Sequence, residues 1–379
     1  MTTAATPIYA DKRTFYAPEF RVTVGKDVPQ RPIFDIIDVT FHDKINTIDW
    51  FEITLSNWDS QDQTFKYEPP LLRFKGLIEP DYRIDVHMGY AAKGELRLMS
   101  RGVITAIEPN YPESGAPTLT VRGQHLLHRA ERRQYTKTWE RMRDSEVAKE
   151  LGNKPPDVKQ PSLGIPIEID ESAKSREPNE KIVLDNLSLV NFLQKRANRR
   201  GYVFYVDPAD EKNELLYFGP SDRPNRTQYG LNWGATLISF RPTFAVTQQA
   251  GRVTVCGKDR LTGEKIAETA EFPTDNDLNP ELLPPKDSHD IITDPPARSI
   301  AEAKARAHEA LSQFRRNVIN ASGSTVGLPD LRAGSYVVIG GLGNGSRFNG
   351  RYFITGTTHT IGSGGYTTSF EARREDKES

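Results

Sequence analysis

The feature that most constrains the fold is a pattern of three strands that occurs twice in the 379-residue chain. In both copies apolar and polar residues alternate between turns, which is the pattern of half-buried β-strands. "GVITAI" and "TLTVRG" follow one another in the first copy, and "RYFITG" and "TTSFEAR" stand in the same order in the second. The spacings agree within one residue, with Val86, Ile104 and Thr118 lying 18 and 14 positions apart, and Val337, Ile354 and Thr367 lying 17 and 13 apart. The repeat predicts two related antiparallel β domains.

A second similarity lies upstream of each copy. "RVTVGKD" at residues 21–27 matches "RVTVCGKD" at residues 252–259 with one inserted residue. Each is followed by further strand-like segments, "FDIIDVTF" and "WFEITLSNW" in the first case and "EKIAETAEF" in the second. We therefore expect the two "RVTV" segments to be equivalent strands that open the two β domains.

The segment between the repeats has a different pattern. "DSEVAKEL" begins at Asp144, a good N-cap, and predicts a short helix. "LSLVNFLQKRANRRG" predicts a second helix between the N-cap Ser188 and the terminating Gly201, and its apolar face consists of Leu189, Phe192, Leu193 and Ala197. "YVFYVDPADEKNELLYFGP" then predicts a strand hairpin. These elements indicate a small α+β domain inserted between the two β domains.

The predicted organisation is mainly β with an α+β insertion. It comprises an N-terminal arm at 1–19, a first β domain at 20–125, the inserted domain at 126–235 and a second β domain at 236–379. Six prolines in 28 residues predict an extended loop at 272–298, and the residues that follow predict a helix at 299–317.

Composition excludes several classes of protein. The 50 basic and 51 acidic residues give a net charge of -1, so no overall electrostatic attraction to nucleic acid or anionic lipid is expected. Cys256 is the single cysteine, which excludes an internal disulfide and a CxxC metal site. The chain shows no secretion signal and no apolar run of about 18 residues. We expect it to be made in a cytoplasm and to bind no membrane.

The stretch "YVVIGGLGNGSRFNG", Tyr336 to Gly350, resembles a strand followed by a phosphate-binding glycine loop. Such a loop must be followed by a helix whose N-terminal amides hold the phosphate. Here "RYFITGTTHTI" follows, which has the composition of a strand, and no phosphate-loop lysine is present. We predict a hairpin loop in which glycines adopt positive φ, and no nucleotide or other cofactor.

No catalytic or metal-binding set stands out among the titratable residues. His125 and His128 are three positions apart but lack a third ligand at a recognisable spacing, so an ordinary segment end is favoured over a metal site. His359 lies on a predicted strand and is expected to be a packed or surface histidine, not a base. Asp35 and Asp38 would point to opposite faces of a strand. We therefore predict neither an enzyme nor a metal site.

The segment "RAERRQYTKTWERMR", residues 129–143, combines six basic and two acidic residues with two aromatic ones. Basic and aromatic residues together can bind single-stranded nucleic acid, but arginine and aromatic residues are also enriched at protein contacts. A solvated face or a protein interface is favoured, and the candidate interface residues are Arg129, Arg132, Arg133, Tyr135 and Trp139.

These segments resemble the late control D family, the baseplate hub proteins of contractile phage tails, which is related to the hub portion of VgrG in contractile injection systems. The resemblance covers residues 20–374 and is most specific in the last block, where "RFNGRYFIT", "HTI" and "GYTTSFEARR" follow in order. It implies two tail-tube-like antiparallel β-barrels with a small inserted α+β domain.

The resemblance also implies how the chain assembles. Three copies would form a ring whose six barrels match a sixfold inner tube, while a threefold spike binds the other side. The partners would be the tube or a tube-initiator protein, other baseplate proteins and a separate spike polypeptide, since this sequence has no OB-fold or β-helix after the second barrel. The alternative from another class is a hydrolase or binding module built on the same β domains.

Overall fold

The fold is that of a computed structural model, which describes residues 6–7, 17–26, 31–68, 78–91, 95–153, 160–170, 178–207, 215–221, 228–245, 250–259, 262–271, 288–316 and 318–375. It is mainly β, as predicted, and one 14-stranded sheet dominates it.

The first half of the chain, up to the inserted domain, contains the strands β1 Thr6–Pro7, β2 Pro18–Gly25, β3 Arg31–Pro32, β4 Ile36–Lys44, β5 Trp50–Ser56, β6 Trp58–Asp59, β7 Thr64–Phe65, β8 Arg83–Tyr90, β9 Glu95–Asn110 and β10 Thr118–His125. The inserted domain follows with α1 His128–Glu131, β11 Tyr135–Met142, α2 Asp144–Asn153, β12 Ile167–Ile169, β13 Asn179–Leu187, α3 Leu189–Arg200, β14 Val203–Asp207 and β15 Leu215–Gly219. The remaining elements are β16 Gln228–Asn232, β17 Leu237–Phe244, β18 Arg252–Lys258, β19 Lys265–Glu271, β20 His289–Ala297, α4 Ile300–Arg316, β21 Ile319–Val326, β22 Tyr336–Gly340, β23 Gly350–Gly362 and β24 Gly365–Arg374.

The first β domain is an antiparallel arrangement in the order β4-β5-β10-β9-β8-β2. Every second residue of these strands points inward, so Val39, Phe41, Ile53 and Leu55 are fully buried in one apolar core. The order follows from the hairpin connections, since β8, β9 and β10 are consecutive in the chain and pair as neighbours.

The second β domain repeats this arrangement. Its strands lie in the order β17-β21-β24-β23-β22-β16 around a separate core. Five strands correspond one to one with β4, β5, β10, β9 and β8, and all the pairings among them are antiparallel. The sixth differs, because β16 runs parallel to β22 whereas β2 runs antiparallel to β8.

Two irregularities recur at equivalent positions and establish the alignment residue by residue. A bulge skips Thr105 in the β9–β10 pairing and Thr355 in the β23–β24 pairing. A second bulge leaves Ile37 unpaired in β4 and Ile238 in β17. The predicted matches of "GVITAI" with "RYFITG" and of "TLTVRG" with "TTSFEAR" are therefore confirmed.

The alignment corrects one predicted equivalence within β8 and β22. Ile84 lies opposite Gly102, and Val337 lies opposite Tyr352, which is the residue equivalent to Gly102. Ile84 therefore corresponds to Val337, whereas the spacing had suggested Val86. The two residues are two positions apart on the same face of the strand, so the apolar pattern alone does not distinguish them.

The predicted equivalence of the two "RVTV" segments is wrong. The first lies in β2 of the large sheet, whereas the second is β18, the centre of a separate three-stranded sheet with β19 and β20. This sheet packs against α4 through a core of its own that includes Val253, Val255 and Ala307. "EKIAETAEF" contains β19 of the same small sheet and is not equivalent to β4 or β5. A short valine-threonine alternation fits any half-buried strand, so it carries no information about which sheet it joins.

Other segments also differ from the predicted organisation. Thr6–Pro7 of the predicted N-terminal arm pairs with β16, and His289–Ala297 of the predicted proline-rich loop is the strand β20, parallel to β18. Residues 272–287 of that loop lie outside the described residues. The helix α4, Ile300–Arg316, occupies the segment in which a helix was expected.

The inserted domain has an α+β core. The helix α3 begins after Ser188, whose hydroxyl accepts a hydrogen bond from the amide of Asn191, and ends at Gly201 in the left-handed region, as predicted. Its apolar face is buried, as predicted, against a core that also contains α2 and the strands β13 to β15. None of the helices in the described part of the chain is long and apolar enough to cross a membrane.

Candidate functional site

The two β domains are joined by direct strand pairing. The outer edge of β4, which is the edge away from β5, pairs antiparallel with residues Gly356–Ile361 of β23. Side chains reinforce the pairing, because His42 Nδ1 lies 2.9 Å from Thr358 Oγ1 and the Lys44 ammonium lies 2.8 Å from a carboxylate oxygen of Glu371. The two domains therefore form one continuous sheet across this junction.

A buried ion pair lies on the inner face of the junction. Arg332 is 1% exposed, and its Nε donates to Asp43 Oδ2 over 2.5 Å. The same carboxylate accepts hydrogen bonds from the amides of Ala333 and Thr357, at 3.0 and 3.1 Å, and from the hydroxyl of Thr357. The guanidinium also lies 4.5 Å above the ring of Phe41. Every oxygen of Asp43 is thus satisfied by residues of the second β domain, which compensates for removing the charge from water.

Electrostatics within this group follow from burial. Burial alone would raise the pKa of Asp43, but the charge of Arg332 and the hydrogen bonds from Thr357 hold it below its ordinary value. Asp49 lies 3.6 Å from the same guanidinium, and burial together with the negative charge of Asp43 raises its pKa to about 7. Arg332 therefore neutralises the carboxylate of Asp43, whereas the carboxyl group of Asp49 is protonated over much of the acidic range.

His359 completes the junction network, which we define as Asp43, Asp49, Arg332, Thr357 and His359. It is fully buried, as expected for a packed histidine, and burial lowers its pKa to about 4. Its Nε2 lies 3.1 Å from the carbonyl oxygen of Leu331, so this nitrogen is the protonated one and donates to the carbonyl. Its Nδ1 lies 3.0 and 3.1 Å from the hydroxyl oxygens of Tyr366 and Thr368, and its lone pair accepts a hydrogen bond from one of them. The imidazole of His359 is neutral, makes hydrogen bonds at both nitrogens and is inaccessible to solvent, so its role is structural.

Sequence reasoning did not find the Asp43–Arg332 pair. The two residues are 289 positions apart, and neither belongs to a recognisable motif. The sequence feature that could have indicated the pair is the segment "FHDK" of β4, in which Asp43 lies on the same inward face as Phe41. Such a residue needs a partner from elsewhere in the fold.

The strands equivalent to those of the junction have open edges. Apart from one bridge between Trp233 and Leu237, no strand in the described part of the chain pairs with the outer edge of β17, the counterpart of β4. Likewise, among described residues, no strand pairs with the edge of β9 away from β10 beyond Ile104, although the counterpart segment of β23 binds β4. Among the described residues, each β domain therefore has one junction edge that a strand of the other domain occupies and one that none of these strands occupies.

The predicted interface residues do not all lie on the surface, and two of them share one partner. Arg129 and Arg132 are exposed and bind Asp81 of the first β domain, through its carbonyl oxygen at 3.2 Å and its carboxylate at 3.2 Å respectively. Arg133 is also exposed, and Tyr135 packs partly against the core of the inserted domain.

Trp139 is corrected from a surface residue to a core residue. It is 5% exposed, stacks on Phe192 at 5.8 Å and donates from Nε1 to Glu150 over 2.9 Å. In β11 residue 139 falls on the inner face, and a tryptophan there buries more apolar area than any alternative residue. A composition-based search cannot separate the two faces of a strand.

The glycine-rich segment is the predicted hairpin loop. β22 and β23 pair antiparallel on either side of it, and Gly341, Gly343, Gly345 and Gly350 have φ of 79°, 96°, 78° and 146°. The side chain of Asn349 spans the loop, accepting from the amide of Leu342 and donating to the carbonyl of Gly343 over 2.8 Å. The loop is thus ordered by its own polar groups, and the absence of a phosphate ligand stays a prediction.

The other candidate residues have local structural partners. His125 is buried and its Nδ1 accepts from the amide of Leu127 at 3.2 Å, while His128 faces Glu131 at 3.4 Å. The described residues contain no group of three or more histidine, cysteine or acidic side chains placed to hold a metal ion.

Asp35 and Asp38 do not form a carboxylate pair. Asp35 accepts hydrogen bonds from Lys66 and Tyr67, at 2.6 and 2.7 Å, while Asp38 accepts from Thr54 at 3.1 Å.

The chain matches a known sequence family over most of its length. The sequence model of the family described as "Alg8 N-terminal domain" matches residues 19–363. No curated protein matches the chain by sequence.

Among solved structures, the 43 kDa tail protein of prophage MuSo2 from Shewanella oneidensis aligns with a TM-score of 0.68 and 14% identity, over 94% of this chain and 98% of its own. The tail protein of Neisseria meningitidis MC58 aligns with a TM-score of 0.66 and 15% identity, over 95% and 97%. An E. coli component of the type VI secretion system, described as structurally similar to the T4 tail proteins gp27 and gp5, aligns with a TM-score of 0.55 and 12% identity, over 94% and 77%. The chain therefore shares the fold of phage tail and type VI secretion proteins.

Proposed function

We propose that this chain, which belongs to the family described as the Alg8 N-terminal domain, is a structural baseplate hub of a contractile tail or injection system, because its fold is that of phage tail and type VI secretion proteins. It resembles the late control D and VgrG hubs in this role. Its function is mechanical and non-enzymatic: it binds the inner tube on one side and a spike on the other, and transmits the thrust of contraction between them.

The duplication of the β domains is the observation that carries the proposal. Five strands recur in the same order with bulges at the same two positions, so each chain presents two nearly equivalent tube-like units. Three chains in a ring would present six such units to a sixfold tube and three inserted domains to a threefold spike. A single-domain subunit could not match both symmetries with one copy number.

Each predicted domain has its own proposed role. The β domains at 20–125 and 236–379 form the tube-like ring, and the inserted domain at 126–235 contributes contacts to other proteins. Arg129, Arg132, Arg133 and Tyr135 remain the proposed contact residues, because arginine and tyrosine are enriched at protein interfaces and three of these four side chains are exposed. The proposed partners are a tube or tube-initiator protein, a separate spike and other baseplate proteins, in a particle assembled from chains made in the bacterial cytoplasm.

Copy number tests the proposal. We expect intact particles to contain three copies of this chain, with each tube ring in the same particle serving as an internal standard of six subunits. Quantitative mass spectrometry of purified particles, or averaging of particle images with imposed threefold and sixfold symmetry, measures this ratio. Six copies of the chain per particle, or its absence from the particle, would contradict the hub assignment.

Nucleic-acid binding by the basic segment is the alternative to protein contact. Binding to phosphates would give affinity for a single-stranded oligonucleotide that falls steeply with salt. We expect no such binding by the full chain. Salt-dependent binding that disappears in the R132A/R133A variant would show that this surface contacts nucleic acid instead.

A further inference from the structure

A groove of about 960 Å³ lies between the inserted domain and the helix that packs on the small sheet. One wall is formed by β13 and α3, and the other by α4 together with the residues just before it. The guanidinium of Arg199 pairs with the carboxylate of Glu302 and so joins the two walls. The side-chain amide of Gln313 donates to the carbonyl oxygen of Asn198 over 3.1 Å and joins them a second time. The fold itself therefore builds and holds the groove.

The lining of the groove carries more basic than acidic side chains. Six lysine or arginine residues contribute to it, against three glutamates. On α3, Arg196 and Arg200 share the buried carboxylate of Asp144, and Arg199 is paired with Glu302. Burial and the neighbouring charge of Arg196 nevertheless lower the pKa of Arg199. Three arginines thus face two carboxylates, and the α3 wall stays positively charged.

Three further cations of the lining have no acidic partner in the described part of the chain. They are Lys181 of β13, and Arg298 and Lys304 of the α4 wall, and all three are exposed. The N-terminus of α4 does not add to them, because its amides are already capped. The amide of Arg298 donates to Glu302 at 3.1 Å, and the hydroxyl of Ser299 accepts from the amide of Glu302 at 3.2 Å. The uncompensated charge of the groove therefore lies on side chains.

We propose that this groove binds an acidic segment of another protein, whose carboxylates pair with Lys181, Arg298 and Lys304. The unpaired cations select an anionic occupant by charge complementarity. Val183, which is 49% exposed, and Pro178 line the groove as well and offer apolar contacts that a peptide uses and a lone inorganic anion does not. The volume lies near the upper end of the roughly 300–1,000 Å³ typical of ligand pockets, which is far more than one small anion fills. Such a site is independent of the proposed ring.

Two features of the lining favour a protein segment over nucleic acid. Apart from the imidazole of His308, the described residues that line the groove offer no ring on which a base could stack. Glu180 and Glu309 also belong to the lining, and they repel the evenly spaced charges of a phosphate backbone. A peptide avoids this repulsion, because its carboxylates can be spaced to meet the cations alone.

Carbodiimide crosslinking of the full-length chain tests the site. The probe is a fluorescent peptide of alternating glutamate and alanine residues, whose carboxylates the reagent couples to lysine amines in direct contact. We expect binding that weakens as the salt concentration rises, and coupling at Lys181 and Lys304, mapped by mass spectrometry of the digested product. Lys195 is the internal control, because it is also exposed and lies on α3 but outside the groove, and it should stay uncoupled.

Charge reversal separates binding in the groove from general attraction. The double variant K181E/K304E should bind the peptide at least about tenfold more weakly, since each reversal replaces an attraction with a repulsion. The matched variant K195E/K265E makes the same change of net charge at exposed positions outside the groove and should alter binding less than about twofold.

Three outcomes would overturn the acidic-peptide site: no binding by the native chain, equal weakening in the two double variants, or tighter binding of an oligothymidylate of the same charge. None of them affects the hub proposal, which depends on copy number in the particle. Conversely, six copies of the chain per particle would contradict the hub proposal and leave the groove as a peptide site.

Discussion

The two β domains fill equivalent core positions with different residues. In the first, Phe51 lies opposite Gly123, and in the second the same positions hold Ala321 opposite Ala372. A Cβ added to Gly123 would lie 2.1 Å from the ring of Phe51, so the large ring is possible only because its neighbour is glycine. The duplicated strand order is therefore compatible with different core volumes at an equivalent cross-strand pair, since Phe–Gly carries much more side-chain volume than Ala–Ala.

The difference is larger at the junction edges. The in-chain edge places the charged Asp43 where the open edge has Phe244, and Thr357 where the other open edge has Ile107. A charge at a permanent contact inside one chain can be satisfied by Arg332 from the same chain. At the counterpart edge, with which no strand of the described residues pairs beyond one bridge, Phe244 carries no charge that would need a partner.

The largest expected effect comes from breaking the ion pair of the junction. Arg332→Met removes the cation from between Asp43 and Asp49 and leaves one buried carboxylate without its partner, so we expect a loss of about 3–5 kcal/mol in the free energy of unfolding. Lys44→Met is the matched control, because the Lys44–Glu371 pair is exposed and should cost less than about 1 kcal/mol. Denaturant titration of both variants measures the difference. Similar small losses in the two variants would contradict the role given to the junction network.

The Phe51–Gly123 pair offers a second way to test the comparison. Gly123→Ala should cost about 1–3 kcal/mol by overpacking, and Phe51→Ala about 3–5 kcal/mol by leaving a cavity. The double variant F51A/G123A recreates the pair of the second β domain and should lose less stability than the sum of the two single losses. Unfolding free energies from a double-mutant cycle measure the coupling. Strict additivity would show that the two positions do not share one volume.

Measurements of stability over a series of pH values should separate two opposing contributions of the junction network to the free energy of unfolding. The pKa of His359 is lowered to about 4, so the unfolded chain gains a proton before the folded chain does, and stability is lost as the pH falls from about 6.5 towards 4. The pKa of Asp49 is raised to about 7, so the folded chain keeps a proton that the unfolded chain releases, and stability is lost as the pH rises from about 4 through 7.

In the native protein the pH dependences of stability caused by His359 and by Asp49 oppose each other. Asp49→Asn removes the contribution of Asp49, so the contribution of His359 should become measurable. We expect this variant to lose up to about 1.4 kcal/mol for each pH unit between 6.5 and 4, whereas the native chain changes less over that range. Unfolding midpoints at fixed ionic strength measure both curves. A steeper acid dependence in the native chain than in the variant would contradict the assignment.

The smallest expected effect is in the hairpin loop. Gly343→Ala and Gly345→Ala should each cost about 1 kcal/mol, because both residues have positive φ although no atom lies within 4 Å of the added Cβ. Gly364→Ala is the matched control, since that position is equally open but its φ is not in the left-handed region. Calorimetry with ATP, NAD and FAD should show no binding. Binding that these substitutions remove would indicate a phosphate site.

Much of the second half of each β domain was predictable because its information is local. Strands β8 to β10 and β22 to β24 are consecutive in the chain and each pairs with the next, so alternation and spacing specify both the strands and their pairing. The two ends of α3 were equally predictable from the sequence, since Ser188 and Gly201 act on backbone groups within a few residues. The placement of β18 was not, because its parallel partner β20 begins 30 residues after β18 ends and lies beyond β19 in the chain.

The sequence by itself determined that this protein is mainly β, that it contains a repeated strand unit, and that glycines shape a hairpin between two paired strands. These properties depend on periodicity and on backbone preferences, which act over a few residues. Only the tertiary structure decided that Trp139 is buried, that β18 belongs to a separate sheet, and that Asp43 meets Arg332 across the junction. Those choices depend on the burial of area and charge between segments far apart in the chain, and the free energy of such contacts exists only once the segments have met.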